Sequence, residues 1–178
     1  QIAANAVANN LDGMAILGGQ ALGLATITVV GQCVGAGDYA QARRYNRKLM
    51  IISWLLIAAS VAAILTSLPL LLNLYNISDE ARVLSAQLVR LHNIPAIALW
   101  CLSFTLPNTL RAAGDARFTM VVSIVSMAVF RIGFSVVLGI WMGMGAIGVW
   151  IAMDIDWVCR VICFVARYFS GAWTRKYQ

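Results

Sequence analysis

Long segments without charged side chains constrain this sequence more than any other feature. A bilayer core of about 30 Å is crossed by about 20 residues of α-helix, at about 1.5 Å per residue. Four uncharged or nearly uncharged segments approach or exceed that length: Gly13–Gly37, Leu49–Leu72, Ile94–Leu110 and Phe118–Met153. The last, interrupted only by Arg131, is too long for one span, and the glycine-rich run 139–148 predicts a turn within it. The sequence therefore predicts five transmembrane helices.

The composition excludes a water-soluble fold. Of the 178 residues, 61% are hydrophobic and 11% are charged, and soluble domains carry roughly 25% charged residues. A transmembrane β-barrel would show segments of about ten residues with alternating apolar and polar side chains, and no such alternation occurs in this sequence. We predict an all-α membrane protein with approximate helices at 1–35, 39–73, 79–111, 116–140 and 145–171.

Positive charge in the connecting segments predicts the orientation. With alternating helices, one side of the membrane carries the basic residues Arg43, Arg44, Arg47, Lys48, Arg111, Arg117, Arg167, Arg175 and Lys176. The opposite side carries segment 73–82, with Asp79 and Glu80 against a single arginine. The positive-inside rule makes the basic side and the C-terminus cytoplasmic. The net charge of +6 is therefore attributed to topology and to contact with anionic lipid, and no nucleic-acid partner is expected.

Glycine and aspartate residues mark the two turns on the basic side. Gly37-Asp38 and Gly114-Asp115 each provide a glycine that can end one helix and an aspartate that can cap the next. Ser78 predicts the start of the third helix in the same way.

Four motifs along the chain resemble a known family. They are GQCVGAGDYAQA at 31–42, LRAAGD at 110–115, GAIGVW at 145–150 and SGAW at 170–173. In order and spacing they resemble the second half of the multidrug and toxic compound extrusion (MATE) family, and the resemblance covers essentially the whole chain. The loop residues that carry it are Gly31, Gln32, Gly35, Gly37, Asp38, Arg111, Gly114 and Asp115.

This resemblance implies a fold and an activity. Members have twelve helices in two six-helix lobes and export cationic, amphipathic compounds in exchange for sodium ions or protons. The chain would supply helices eight to twelve, most of the C-terminal lobe, and would need the N-terminal lobe of the same polypeptide to transport. The expected partners are the lipid bilayer and small organic cations, and the expected location is a bacterial inner membrane. No cofactor is expected beyond the coupling ion, sodium or proton.

Three alternatives follow from the same sequence. A lipid-linked sugar flippase of the same superfamily would share these features. A membrane enzyme is disfavoured because the sequence has no HExxH, no GxSxG and no histidine cluster, and its four cysteines lack metal-binding spacing. A non-transporting anchor or assembly subunit would have no polar residues near the membrane midplane, where this sequence carries several.

Two ion pairs are predicted among the ionisable residues of the last two helices. Ionisable residues at membrane depth are costly and are usually paired or functional. Arg131 and Asp154 lie at equal depths on successive antiparallel helices, which predicts an ion pair between them. Asp156 precedes Arg160 by four residues, the favourable order for a pair along one helix.

Asp12 and His92 have no such partner in the sequence, although they fall near the same depth. A carboxylate there can bind a cation or carry a proton, and an imidazole can titrate near neutral pH. In one branch of the MATE family, which this sequence resembles, an acid in helix ten helps to hold the coupling cation. The matching helix here has no acid beyond its outer end, and His92 and Asn93 lie at that depth instead. Asp12, His92 and Asn93 are therefore the candidate cation, proton or substrate-cavity residues, with sodium and proton coupling both open.

Overall fold

Helices account for all the regular secondary structure of residues 2–171 and 173, which a computed structural model describes. The five helices are α1 (Ile2–Gly35), α2 (Tyr39–Leu74), α3 (Asp79–Ala112), α4 (Ala116–Trp141) and α5 (Gly145–Phe169). The all-α fold with five helices is confirmed, and each observed bound lies within two residues of the expected one. Ala172 of the SGAW motif and the basic residues Arg175 and Lys176 lie outside the described residues.

Four of the five helices have the length and composition of membrane spans. In the described part of the chain these are α1 to α4. Helix α5 has 25 residues but carries Asp154, Asp156 and Arg160, of which Asp156 and Arg160 are buried inside the bundle. Large apolar side chains instead cover the outer surface, among them Leu17, Leu55, Ile94, Ile124 and Ile162. Such extensive apolar exposure fits contact with lipid, and the chain is a multi-pass membrane protein.

The predicted helix ends are largely observed. The Asp38 carboxylate accepts a hydrogen bond from the Gln41 backbone N–H at 2.8 Å, and the Ser78 hydroxyl accepts one from the Ala81 N–H at 3.3 Å. Gly37 and Gly114 adopt φ values of +75° and +79°, a conformation that strains other residues. Asp115 differs from the prediction, because its side chain makes no capping bond to α4.

Helix α3 lies at the centre of the bundle and runs parallel to α1 and α5. At one end, the Ser85 hydroxyl donates to the Ala4 carbonyl of α1. Further along, a Cβ on Gly19 of α1 would lie 2.5 Å from the Trp100 ring. The Asn108 amide then donates to the Gly23 carbonyl at 3.0 Å. The absence of side chains at 19 and 23 therefore permits the close helix contact expected for small residues in lipid.

Two helices contain π-helical turns. In α3 the segment Cys101–Thr105 is π-helical and lies between Pro95 and Pro107. In α4 the segments Met127–Gly133 and Ser135–Trp141 are π-helical, so most of its second half departs from α geometry. The wider turn in α3 brings the Ser103 hydroxyl to the Trp157 carbonyl of α5 at 3.0 Å. These turns change which way the following side chains face.

Candidate functional site

The buried imidazole of His92 lies between two carboxylates from different helices. Its Nδ1 atom is 2.6 Å from Oδ1 of Asp154 on α5. Its Nε2 atom is 3.9 Å from Oδ2 of Asp12 on α1. His92 itself is fully buried on α3, whereas the two carboxylates retain a little exposure. The parallel packing of α1, α3 and α5 therefore assembles an Asp–His–Asp cluster from Asp12 and His92, which the sequence left without partners, and Asp154, for which it predicted another partner.

Two tryptophans of α5 fix the orientation of the imidazole ring. The Trp150 ring meets it edge-on at a centroid distance of 4.9 Å, and the Trp157 ring lies at 4.4 Å. The indole N–H of Trp150 donates to the Asn5 side-chain oxygen of α1 at 2.8 Å, which holds that ring in place. Sequence analysis missed both tryptophans, since an aromatic residue in an apolar helix carries no signal of what it will face.

The three side chains of the cluster do not balance their own charge, and the guanidinium of Arg131 lines the adjoining cleft. Two ionised carboxylates with a neutral imidazole carry a charge of −2, and one added proton leaves −1. Several buried polar atoms nearby also lack a hydrogen-bond partner within the described residues: Asp12 Oδ1, His92 Nε2 and both amide atoms of Asn93. Buried polar atoms are normally satisfied. The cluster is therefore suited chemically to accept a proton or a small cation.

The three side chains are not arranged as a metal site. Among residues 2–171 and 173, no group of three or more His, Cys, Asp or Glu side chains could hold a metal ion. The 2.6 Å contact with Asp154 is instead a hydrogen bond through which a proton can be shared.

The structure does not form the expected ion pair between Arg131 and Asp154. Asp154 binds His92, and no ion pair of Arg131 occurs within the described residues. Equal depth fixes the height of two residues but not the direction in which each faces. Arg131 lies in the first π-helical segment of α4, where the rotation per residue differs from that of an α-helix. The Arg131 side chain lines two clefts, one of which is also lined by Asp12 and His92.

The pair between Asp156 and Arg160 is present and buried. Arg160 Nη2 lies 3.0 Å from Asp156 Oδ2, and Arg160 Nε donates to Asp156 Oδ1 at 3.1 Å. Ser126 of α4 donates its hydroxyl to the same carboxylate. Arg160 also donates to the Ser123 carbonyl at 3.4 Å. These bonds join α5 to α4, so this pair holds two helices together.

An open cleft of about 520 Å³ extends from the Asp–His–Asp cluster. Asp12 and His92 line one part of it, and Arg111 lines another. Its aromatic lining consists of Trp100, Phe104 and Trp157. Ligand pockets of about 300–1,000 Å³ with aromatic walls and a few polar groups are typical of small-molecule sites.

The motif residues of the loops lie elsewhere, at the basic end of the bundle. Gly31, Gln32 and Gly35 belong to the last turns of α1, and Gly37 with Asp38 forms the turn to α2. None of these five residues joins the Asp–His–Asp cluster.

The turn between α3 and α4 is tied to the end of α5. Arg167 Nε donates to Asp115 Oδ2 at 2.7 Å, and its Nη2 donates to Oδ1 at 3.3 Å. The same guanidinium lies 4.8 Å from the Phe118 ring centroid. Arg111, at the end of α3, donates to the Asn108 side-chain oxygen at 3.1 Å. Asp115 therefore has a structural role that its position after Gly114 did not predict.

The fold and this site together define a multi-pass helical membrane protein with an ionisable cluster in its interior. A family model described as MatE matches residues 1–137, and the chain belongs to that family. The resemblance found in the loop motifs is thereby confirmed.

Two relatives extend this comparison. The chain is 28% identical over 171 residues to a Bacillus subtilis (strain 168) protein named "Uncharacterized transporter YisQ", covering 94% of this chain and 36% of that protein. It is 22% identical over 157 residues to "Multidrug and toxin extrusion protein 1" of Oryctolagus cuniculus, covering 88% of this chain and 28% of that protein. The chain thus spans about a third of the length of these relatives. No solved structure matches it.

Proposed function

We propose that this chain is the C-terminal-lobe part of a secondary transporter that exports cationic or amphipathic compounds in exchange for protons. Asp12, His92 and Asp154 bind the coupling proton, and the complete transporter also needs the lobe that would precede this chain. The protein is not an enzyme in this proposal. It resides in the cell membrane of a bacterium with its basic end and C-terminus in the cytoplasm, as the positive-inside rule favours.

Family membership and the names of the relatives support the class of activity. One relative is named a transporter and the other a multidrug and toxin extrusion protein. Alternating access in secondary transporters requires two helical bundles that move around a site between them. A chain that spans about a third of its relatives provides part of one bundle.

The observation that carries the proposal is the position of His92 between Asp12 and Asp154. Ionisable residues within a membrane commonly mark proton relays or ion pathways. An imidazole can take up a proton at one ring nitrogen and release one from the other, which suits it to a proton relay. The 2.6 Å contact between His92 and Asp154 gives that proton a second acceptor.

Proton binding can be coupled to export by electrostatic competition. When the cluster is deprotonated, its carboxylates offset the positive charge of Arg111 and Arg131, which line the same cleft, and so permit an organic cation to bind there. The aromatic rings of Trp100, Phe104 and Trp157 there can contact such a cation through their π faces. Protonation reduces the negative charge and so weakens the binding of the cation. Each ligand therefore lowers the affinity of the other, which is the thermodynamic basis of exchange.

The experiment uses the complete polypeptide that contains this chain, reconstituted into proteoliposomes with a fluorescent organic cation. A proton gradient alone is expected to drive exchange, and a sodium gradient at uniform pH is not. His92→Gln should reduce proton-driven exchange at least tenfold, whereas Gln87→Asn, at an exposed position of α3 outside the cleft, should retain it. Exchange driven by sodium alone would contradict proton coupling. Unchanged activity of His92→Gln would contradict the role of the cluster.

A further inference from the structure

A second groove lies at the basic end of the bundle, where α2, α3 and α5 meet. Its volume is about 450 Å³. Arginines 43, 44 and 47 of α2 line one part, and Leu106 of α3 with Val165 and Phe169 of α5 line another. The groove does not include any residue of the Asp–His–Asp cluster.

The arginines leave positive charge uncompensated at this groove. Among residues 2–171 and 173, the ion pairs of arginines involve Arg82, Arg160 and Arg167. The three arginines of the groove are exposed and have no carboxylate partner in that part of the chain. Arg43 lies over the buried Trp173 ring at 5.8 Å, which restrains its guanidinium without neutralising it.

A buried polar group stands between the charged and apolar parts. The Asn46 amide donates to the Tyr168 hydroxyl at 3.1 Å, and the Asn46 oxygen accepts from Thr109 at 2.6 Å. This arrangement leaves the Tyr168 hydroxyl proton free to donate to an incoming acceptor. On α2, Met50 lies about 5 Å deeper than Arg47 at about 1.5 Å per residue, and it lines the apolar part of the groove.

We propose that this groove binds one anionic phospholipid of the cytoplasmic leaflet. The phosphate contacts Arg44 and Arg47, and an acyl chain lies against Leu106 and Val165. Positive charge at the membrane surface beside an apolar cleft between helices complements both parts of such a lipid. Basic pockets between transmembrane helices on the cytoplasmic side recognise anionic headgroups in this way. A soluble anion would use only the arginines and would gain nothing from the apolar part.

The test measures the thermal stability of the complete detergent-solubilised protein with phosphatidylglycerol or phosphatidylcholine added. Phosphatidylglycerol is expected to raise the melting temperature more than phosphatidylcholine, while soluble glycerol phosphate has no effect. Each arginine near an anionic surface contributes about fivefold in affinity. Arg44→Gln with Arg47→Gln should therefore raise the phosphatidylglycerol concentration needed for half of the shift at least tenfold.

Two further variants separate a groove from general surface charge. Lys48→Gln with Arg117→Gln removes the same charge from exposed positions at the same end, outside the groove, and should leave the selective shift intact. Val165→Trp fills the apolar part without changing charge and should abolish selectivity for phosphatidylglycerol. The Val165→Trp variant also tests lipid binding in the groove if the arginine variant does not fold.

Three results would overturn the proposal. These are an equal loss of selectivity in both double variants, an unchanged response of Val165→Trp, and a shift produced by glycerol phosphate alone. Transport is not measured in this experiment, so its outcome is independent of the proposed proton coupling.

Discussion

His92 Nδ1 and Asp154 Oδ1 lie 2.6 Å apart, although 62 residues separate them in the sequence. The contact joins the central helix α3 to the last helix α5 inside an apolar bundle. It replaces the pairing of Asp154 with Arg131 that helix depth alone predicts. The first prediction therefore concerns which of the two partners is energetically coupled to Asp154.

A double-mutant cycle of His92→Gln and Asp154→Asn should give a coupling free energy of about 1–3 kcal/mol, as contacting residues in one network do. The cycle of Arg131→Gln and Asp154→Asn should give a smaller coupling, because no ion pair joins these two residues. Unfolding of the purified complete protein in a mild detergent, followed by tryptophan fluorescence, measures both. A larger coupling with Arg131 than with His92 would show that the arrangement described for Asp154 is incorrect.

The second prediction concerns the buried pair of Asp156 and Arg160. Asp156→Ala leaves the guanidinium buried without its counter-charge and should destabilise the protein by about 3–5 kcal/mol. Replacing both residues, Asp156→Asn with Arg160→Gln, should recover much of that loss, since neither charge then remains buried alone. Thermal unfolding and the yield of monodisperse protein measure the effect.

The pair of Asp79 and Arg82 provides the matched control. Their atoms approach to 3.3 Å, but the Asp79 side chain is 96% exposed. Asp79→Ala should therefore leave stability unchanged. Equal destabilisation by Asp79→Ala and Asp156→Ala would show that burial of the ion pair does not explain the loss of stability.

Gly148 provides the third prediction. A Cβ at this position would lie 2.7 Å from the backbone carbon of Leu138, where α4 and α5 form a hairpin. Gly148→Ala should separate the helices and cost about 1–3 kcal/mol, as overpacking typically does. Gly13→Ala is the control, because no atom lies within 4 Å of its added Cβ. Thermal unfolding should show a lower melting temperature for the first variant alone, and equal melting temperatures would refute the close approach.

The fourth prediction tests the orientation in intact cells that produce the complete protein without its native cysteines. A cysteine at Tyr45 or Arg117 should be protected from an impermeant thiol reagent, and one at Asn76 should be labelled. The reason is that the first two positions lie at the basic end of the bundle and the third at the opposite end. Labelling at Tyr45 together with protection at Asn76 would show that the protein has the opposite orientation.

The sequence by itself determined the features that depend on local interactions. The five helices follow from apolar length and from turn chemistry, such as the Asp38 cap and the glycines at 37 and 114. The pair of Asp156 and Arg160 was predictable because both residues lie on one helix, where a spacing of four fixes their distance. The loop motifs identified the family, which the MatE match confirms.

Only the tertiary structure decided which ionisable residues meet. His92 binds Asp154 and faces Asp12 because α1, α3 and α5 pack in parallel, and no sequence spacing encodes that packing. Arg131 lines the same cleft as Asp12 and His92 but forms no ion pair with Asp12 or Asp154. Asp115 likewise binds Arg167, which lies 52 residues away. Helix geometry fixes the depth of a residue, but its direction depends on local helix type, and its partner depends on how separate helices pack.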